Sequence, residues 1–305
     1  MRPIQALLLY FLVVFVGGAL LAPWLYRLAQ WTGLESLTQM PFNRFVTRGI
    51  SLLALLGVWP LLRGLGVRSW SSVGIVKPAG QWKRLGNGFA LGFGSLALVA
   101  ALALACGARQ LDGGITGRWW GELPGIALTA AVVGILEELL FRGALFGALR
   151  REHGWKAALI GSSVVYAIVH FFQKTETEGP VTWSSGLAVL PRMVNGFVQP
   201  TMLVPGFVAL TLAGAMLALA VQRTGTLYFS VGLHAGWVFW LKFYVVMTDL
   251  RPGAATWFWG TGKLYDGWLA LLALATAGLV ARRLTQVKPK LETTPEPGAE
   301  LDARV

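Results

Sequence analysis

Long apolar segments constrain this sequence more than any other feature. We count eight of them, near residues 4–26, 45–65, 86–108, 122–149, 156–173, 202–222, 227–248 and 265–284. A helix needs about 20 apolar residues to cross the hydrocarbon core of a bilayer. Backbone polar groups find no water in that core, so single spanning segments fold as helices. The sequence therefore predicts an all-α polytopic membrane protein with about eight transmembrane helices.

The distribution of charge argues for lipid contacts and against nucleic acid. The formal net charge is +12 at pH 7, but the basic residues are scattered between the apolar segments. Nucleic-acid-binding proteins cluster such residues on one face, so the predicted partner is the lipid bilayer and no nucleic acid is expected.

The basic residues also predict the orientation of the chain in the membrane. With a cytoplasmic N-terminus, 15 Lys and Arg residues fall on the cytoplasmic side and 9 on the other. The positive-inside rule then predicts that both termini are cytoplasmic.

Two regions depart from the apolar pattern. Between the fifth and sixth segments, Leu187, Val189, Leu190, Met193, Val194, Phe197 and Val198 recur at spacings of three and four residues. This spacing predicts an amphipathic or re-entrant segment, or else an interfacial loop. Residues 285–305 are polar and contain three prolines. We expect a single transmembrane helical domain over residues 1–284 and a disordered cytoplasmic tail over 285–305.

Three ionisable residues interrupt the fourth apolar segment. Glu137, Glu138 and Arg142 lie inside a run that begins near Pro124, and charges at membrane depth are costly and usually functional. Glu138 and Arg142 are four residues apart, which favours a charge pair on one helix face. Glu137 points about 100° away from that face. The sequence therefore leaves one carboxylate paired and the other free for chemistry, although a purely structural network is the alternative.

Two histidines in later segments are candidate partners of Glu137. Glu137 precedes Arg150 by 13 residues, about 20 Å of helix, and His170 follows Lys156 by 14 residues, about 21 Å. Antiparallel neighbouring helices would therefore bring Glu137 and His170 to similar depth. His234 lies closer to its basic flank, so helix rise predicts a position nearer the inner surface.

A carboxylate and two imidazoles inside a membrane allow a small set of activities. Glu137 can act as a general base on water, with His170 positioning that water and His234 stabilising a developing oxyanion. Alternatively, Glu137, His170 and His234 could bind a divalent metal such as zinc and leave one position open. The zincin motif HExxH is absent. A proton-coupled transporter is a further alternative, because intramembrane acids and histidines also serve as proton relays.

A serine nucleophile is less favoured than an activated water. Ser162, Ser163 and Ser230 occur in the apolar segments, but none lies in a recognisable nucleophile elbow. Cys106 is the only cysteine, which excludes an intramolecular disulfide and a cluster of thiolate ligands.

At these residues the sequence resembles the CPBP family of intramembrane proteases, also called the CAAX prenyl protease or Abi family. The family's first motif, EExxxR, is matched by Glu137, Glu138 and Arg142. The second motif, an aromatic residue four positions before a histidine, is matched by Tyr166 and His170, and the third histidine by His234.

The resemblance implies a glutamate-dependent endopeptidase that cuts a membrane-anchored or lipidated protein in a prokaryotic inner membrane. Glu137 and His170 would activate water and His234 would help hold the oxyanion, with Glu138, Arg142 and Tyr166 in support. Many members have Asn four residues after the last histidine, where this chain has Val238. Asn195 is a candidate replacement donor. The alternative is a noncatalytic membrane scaffold or immunity-type protein of the same fold.

Overall fold

The computed structural model describes residues 3–112, 115–172, 179–197 and 200–286. The α-helices in these ranges are α1 (Pro3–Thr32), α2 (Glu35–Thr38), α3 (Phe42–Gly64), α4 (Trp82–Ala105), α5 (Ile115–Glu138), α6 (Gly147–His170), α7 (Ser185–Met193), α8 (Pro200–Thr224), α9 (Tyr228–Met247), α10 (Thr256–Trp259) and α11 (Trp268–Leu284). Two 3₁₀ turns, Trp70–Val73 and Val194–Phe197, and a π-helical segment, Leu139–Phe146, complete the helical structure.

The described helices are those of a polytopic membrane protein, as predicted. Six helical stretches in the described ranges are long and apolar enough to cross a membrane: 4–32, 42–64, 82–105, 120–170, 203–224 and 228–247. The stretch 120–170 contains two of the predicted segments, and the last predicted segment forms α11, which has 17 residues. The count of eight spans stays a prediction.

A chain reversal at Gly154 divides the long helical stretch. Gly154 has φ of 78° and ψ of 166°, and positive φ is accessible to glycine because it has no Cβ atom. The polar residues Arg151, Glu152 and His153 that precede it are exposed. The reversal brings the end of α6 back beside the end of α5, where Glu137 and Glu138 lie.

Close contact between α4 and α9 fixes the helix that carries His234. Gly88 and Gly92 on α4 face α9, and Gly232 and Gly236 on α9 face α4. A Cβ atom on Gly92 would overlap the carbonyl oxygen of Leu233, so the backbones approach as in other small-residue helix pairs in membranes. The position of α9, and with it His234, therefore depends on these glycines.

The segment between α6 and α8 contains a nine-residue helix, α7. Its buried residues, Ser185, Gly186 and Val189, pack towards α1, and Gly186 lies against the carbonyl oxygen of Ala19. Of the predicted apolar face, Val194 is exposed and Val198 lies outside the described residues. An amphipathic helix packed on α1 thus accounts for the described part of this segment.

A short strand pair was not predicted. β1 (Arg109–Leu111) follows α4, β2 (Thr248–Leu250) follows α9, and the two pair in antiparallel register. Arg109 is buried and donates to the hydroxyl and carbonyl oxygens of Thr248, each at 2.7 Å. This pair ties together the ends of two helices that already pack along their length. From residue 287 onward, the predicted disordered tail lies outside the described residues.

Candidate active site

Glu137 and Glu138 end α5 in different surroundings. The Glu138 side chain is fully buried, whereas that of Glu137 is 30% exposed. Successive helical residues point about 100° apart, so one carboxylate enters the protein interior and the other reaches a cavity. The π-helical segment that follows at Leu139 is a feature often found at functional sites, and the apolar periodicity did not predict it.

The buried carboxylate forms the predicted charge pair. Arg142 Nη1 lies 2.9 Å from Glu138 Oε1, and both side chains are almost fully buried. The guanidinium also lies over the Tyr166 ring, 4.5 Å from its centroid, and donates to the carbonyl oxygen of Gly214 at 3.5 Å. A buried charge is tolerated when it is paired and hydrogen-bonded in this way.

The Glu138 carboxylate orients His234. Its Oε1 atom lies 3.0 Å from His234 Nδ1, and a carboxylate paired with arginine only accepts hydrogen bonds. Nδ1 therefore carries the hydrogen, and in the neutral ring Nε2 keeps its lone pair. Nε2 lies 3.3 Å from the Tyr166 hydroxyl and 3.8 Å from Glu137 Oε2.

A backbone carbonyl orients His170 so that its hydrogen, as in His234, lies on Nδ1. His170 Nδ1 donates to the carbonyl oxygen of Tyr166 at 2.8 Å, because a carbonyl can only accept. The neutral ring then presents the Nε2 lone pair to Glu137 Oε2, 3.6 Å away. The His170 side chain is 23% exposed, so this edge of the ring is accessible.

Three atoms therefore converge: Glu137 Oε2 and the Nε2 atoms of His170 and His234. Both distances from Glu137, 3.6 and 3.8 Å, are longer than direct hydrogen bonds. One water molecule can bridge polar groups at such separations. A carboxylate next to two oriented imidazoles can take one hydrogen of that water while an Nε2 lone pair accepts the other.

Comparison with protein families gives a match over the part of the chain that carries these residues. Residues 119–240 match the family described as Type II CAAX prenyl endopeptidase Rce1-like. This segment of the chain is therefore similar to Rce1-like proteins. The match confirms the resemblance indicated by the motifs and supports a CAAX-type intramembrane protease function. Searches of curated proteins and of solved structures gave no match.

Two cavities of the protein meet at Glu137 and His170. The larger, of about 380 Å³, is lined mainly by apolar residues of α1 and α3. The smaller, of about 90 Å³, is enclosed by α4, α8, α9 and the region of α11, and His234 and Tyr166 also line it. Glu137 and His170 line both cavities, so they stand where the two cavities adjoin.

His234 lies deeper than helix rise predicted. The turn before α9 is itself buried, with Thr226 and Leu227 only 6% and 3% exposed. Leu227 N donates to the carbonyl oxygen of Gly74, and the Tyr228 hydroxyl donates to that of Val76. The loop around these carbonyls covers the turn, so α9 begins below the surface and the prediction for His234 was wrong.

The other candidate residues lie apart from this convergence. Asn195 is exposed on the 3₁₀ turn after α7 and lines neither cavity. Ser162 and Ser163 donate to the carbonyl oxygen of Leu159, and Ser230 donates to that of Leu227. The Ser162 and Ser163 hydroxyls form local helix contacts, and that of Ser230 also bonds the Glu138 carboxylate. In the described hydrogen bonds, none of the three reaches a histidine.

The metal-dependent alternative rests on the same three residues. Zinc ligands lie about 2.0–2.2 Å from the ion, which would require Glu137, His170 and His234 to close slightly on it. Among the described residues, no set of three or more His, Cys, Asp and Glu side chains has the geometry of a metal site. The three residues stay the candidate ligands of that alternative.

Proposed function

We propose that this protein is an intramembrane endopeptidase that hydrolyses a peptide bond of a membrane-anchored or lipidated protein with an activated water. The observation that carries the proposal is the position of Glu137 Oε2, 3.6 and 3.8 Å from two imidazole nitrogens that present lone pairs. The Rce1-like match supports the reaction class.

The proposed reaction has two steps. Glu137 takes a proton from the water as its oxygen attacks the scissile carbonyl carbon, while His170 Nε2 holds the water in line. The electron pair of the carbonyl moves onto oxygen, on the side of the site where His234 and Tyr166 lie. Glu137 then gives its proton to the leaving nitrogen as the C–N bond breaks.

The larger cavity supports an apolar substrate. Its volume of about 380 Å³ lies in the usual range of ligand sites. Aromatic and aliphatic side chains such as Phe11, Val14 and Ile50 form its walls, and Glu137 and His170 stand at its inner edge. We propose that it holds the lipid or the apolar segment next to the scissile bond.

The noncatalytic alternative is favoured by one observation. Val238 lines the smaller cavity one helical turn after His234 and carries no hydrogen-bond donor. A scaffold or immunity-type protein would retain its biological effect when Glu137 or His170 is replaced. The protease and scaffold proposals therefore differ in whether replacement of Glu137 or His170 abolishes the biological effect.

We also propose a prokaryotic inner-membrane location with both termini in the cytoplasm, which the distribution of basic residues supports.

Metal analysis of the purified protein distinguishes the metal-dependent mechanism from the metal-independent one. One zinc ion per chain that is lost in Glu137→Gln supports the metal-dependent mechanism, and a metal-free active protein supports the metal-independent one.

The test uses an internally quenched, farnesylated peptide ending in a CAAX sequence, with the full chain reconstituted in liposomes. We expect the wild type to cleave it and His170→Gln to lose at least about 100-fold in kcat. His153→Gln is the matched control, because His153 is exposed in the turn before α6 reverses. Equal cleavage by wild type and His170→Gln would remove His170 from the mechanism.

A further inference from the structure

Tyr166 stands at the centre of the site, but its hydroxyl has no role in the mechanism above. The residue is 3% exposed and lines the smaller cavity together with Glu137, His170 and His234. The hydroxyl lies 3.3 Å from His234 Nε2. Phenylalanine would fill the same apolar space, so the hydroxyl group itself needs an explanation.

The tautomers of the two histidines leave the site short of hydrogen-bond donors. His234 uses its Nδ1 hydrogen on Glu138, and His170 uses its Nδ1 hydrogen on the Tyr166 carbonyl. In the neutral rings, both Nε2 atoms are acceptors. A carbonyl oxygen that gains negative charge beside Glu137 therefore meets no hydrogen from either ring.

From this geometry we infer that the Tyr166 hydroxyl is the oxyanion donor of the proposed protease. The inference rests on the proposed function. In the resting site, the phenol hydrogen is donated to His234 Nε2. As the water oxygen bonds to the carbonyl carbon and its proton passes to Glu137, the phenol hydrogen turns to the new oxyanion. The hydrogen stays on Tyr166, and it returns to His234 when the C–N bond breaks.

The Tyr166 ring is held in place for this role. The ring centroid lies 4.3 Å from that of His170 and 5.2 Å from that of Phe141, and the Arg142 guanidinium lies over the ring at 4.5 Å. Contacts on several sides restrict the ring, so the hydroxyl needs only to rotate about its C–O bond. Donors fixed before the reaction stabilise an oxyanion most effectively, because no reorganisation is required.

Val238 makes the inference testable by rescue. It lies four residues after His234 on α9 and lines the same cavity as Tyr166. Asparagine is close to valine in size and adds an amide donor. An amide at this position can replace the lost phenol hydrogen.

The experiment compares Tyr166→Phe, Tyr26→Phe and the double variant Tyr166→Phe/Val238→Asn on the farnesylated CAAX peptide. We expect Tyr166→Phe to lower kcat by about 100-fold with little change in KM, the usual cost of one oxyanion donor. Tyr26 packs against Phe42 and Phe45 and lines neither cavity, so Tyr26→Phe should stay within about threefold of wild type. The double variant should recover at least tenfold of the loss.

The outcomes separate the two proposals. If wild type and Tyr26→Phe cleave the peptide and Tyr166→Phe cleaves it equally well, the donor role of Tyr166 is wrong while the protease proposal stands. If the wild type does not cleave, the protease proposal fails and the donor role fails with it. A fall in activity without rescue, together with a lower Tm, assigns Tyr166 to packing and also overturns the donor role.

Discussion

Glu137 and Glu138 are neighbours in the chain, yet their carboxylates contact different sets of side-chain atoms. Glu138 is fully buried between Arg142 Nη1 at 2.9 Å and His234 Nδ1 at 3.0 Å. Glu137 is 30% exposed and faces the Nε2 atoms of both histidines. We therefore expect replacement of the two residues to affect different properties.

Glu138→Gln should destabilise the protein. It removes the charge that balances buried Arg142, and breaking a buried pair costs roughly 3–5 kcal/mol. Thermal unfolding in detergent measures the effect, with Glu152→Gln as control because Glu152 is exposed in a polar turn. A Tm equal to that of the control would show that the Glu138–Arg142 pair adds no stability.

Gly92→Ala should disrupt the contact between α4 and α9. Its new methyl group would meet the carbonyl oxygen of Leu233, next to His234 on α9. Forcing helices apart in a close-packed interface costs about 1–3 kcal/mol, and His234 should shift with its helix. Gly94→Ala is the matched control, because no atom of the described residues that could obstruct a Cβ at Gly94 lies within 4 Å of it. Equal Tm values for the two variants would contradict the proposed packing role of Gly92.

Ala54→Phe should weaken substrate binding. Ala54 lines the larger cavity, so a benzyl group there would occupy space that we assign to the apolar part of the substrate. We expect KM to rise about tenfold with kcat nearly unchanged, the signature of lost uniform binding. Leu56→Phe on the same helix is the control, since Leu56 is 61% exposed and does not line the cavity. Unchanged KM in Ala54→Phe would exclude this cavity as the binding site.

Reporter insertions should test the orientation of the chain. We expect a fluorescent protein fused after residue 305 to fold and fluoresce in the cytoplasm. Alkaline phosphatase inserted after Asp112, between α4 and α5, should be active on the outer side. The opposite pair of results would invert the orientation that the basic residues predict.

The sequence was informative wherever a property repeats along a helix. Apolar length predicted the helical membrane fold, the four-residue spacing predicted the Glu138–Arg142 pair, and equal helix rise predicted that His170 comes close to Glu137. Apolar length, residue spacing and helix rise are local properties, so each can be read from the sequence of a single segment.

Features that depend on contacts between distant segments could not be predicted. The depth of His234 is set by the loop near Gly74 that covers the turn before α9. The bond from Tyr166 to His234 likewise joins two helices whose side-chain directions are fixed only by packing. The π-helical segment at Leu139 and the β1–β2 pair leave no periodic signal in the apolar pattern.

The most direct test of the central claim is the cleavage rate of Glu137→Gln on the farnesylated CAAX peptide. Glutamine preserves the shape of Glu137 but cannot accept the proton of water, so we expect kcat to fall at least about 100-fold. The Tm should stay close to that of wild type, because the Glu137 side chain is 30% exposed and does not carry the buried ion pair that Glu138 forms with Arg142. Glu152→Gln should behave as wild type in both measurements. Cleavage by a folded Glu137→Gln protein at the wild-type rate would contradict the account.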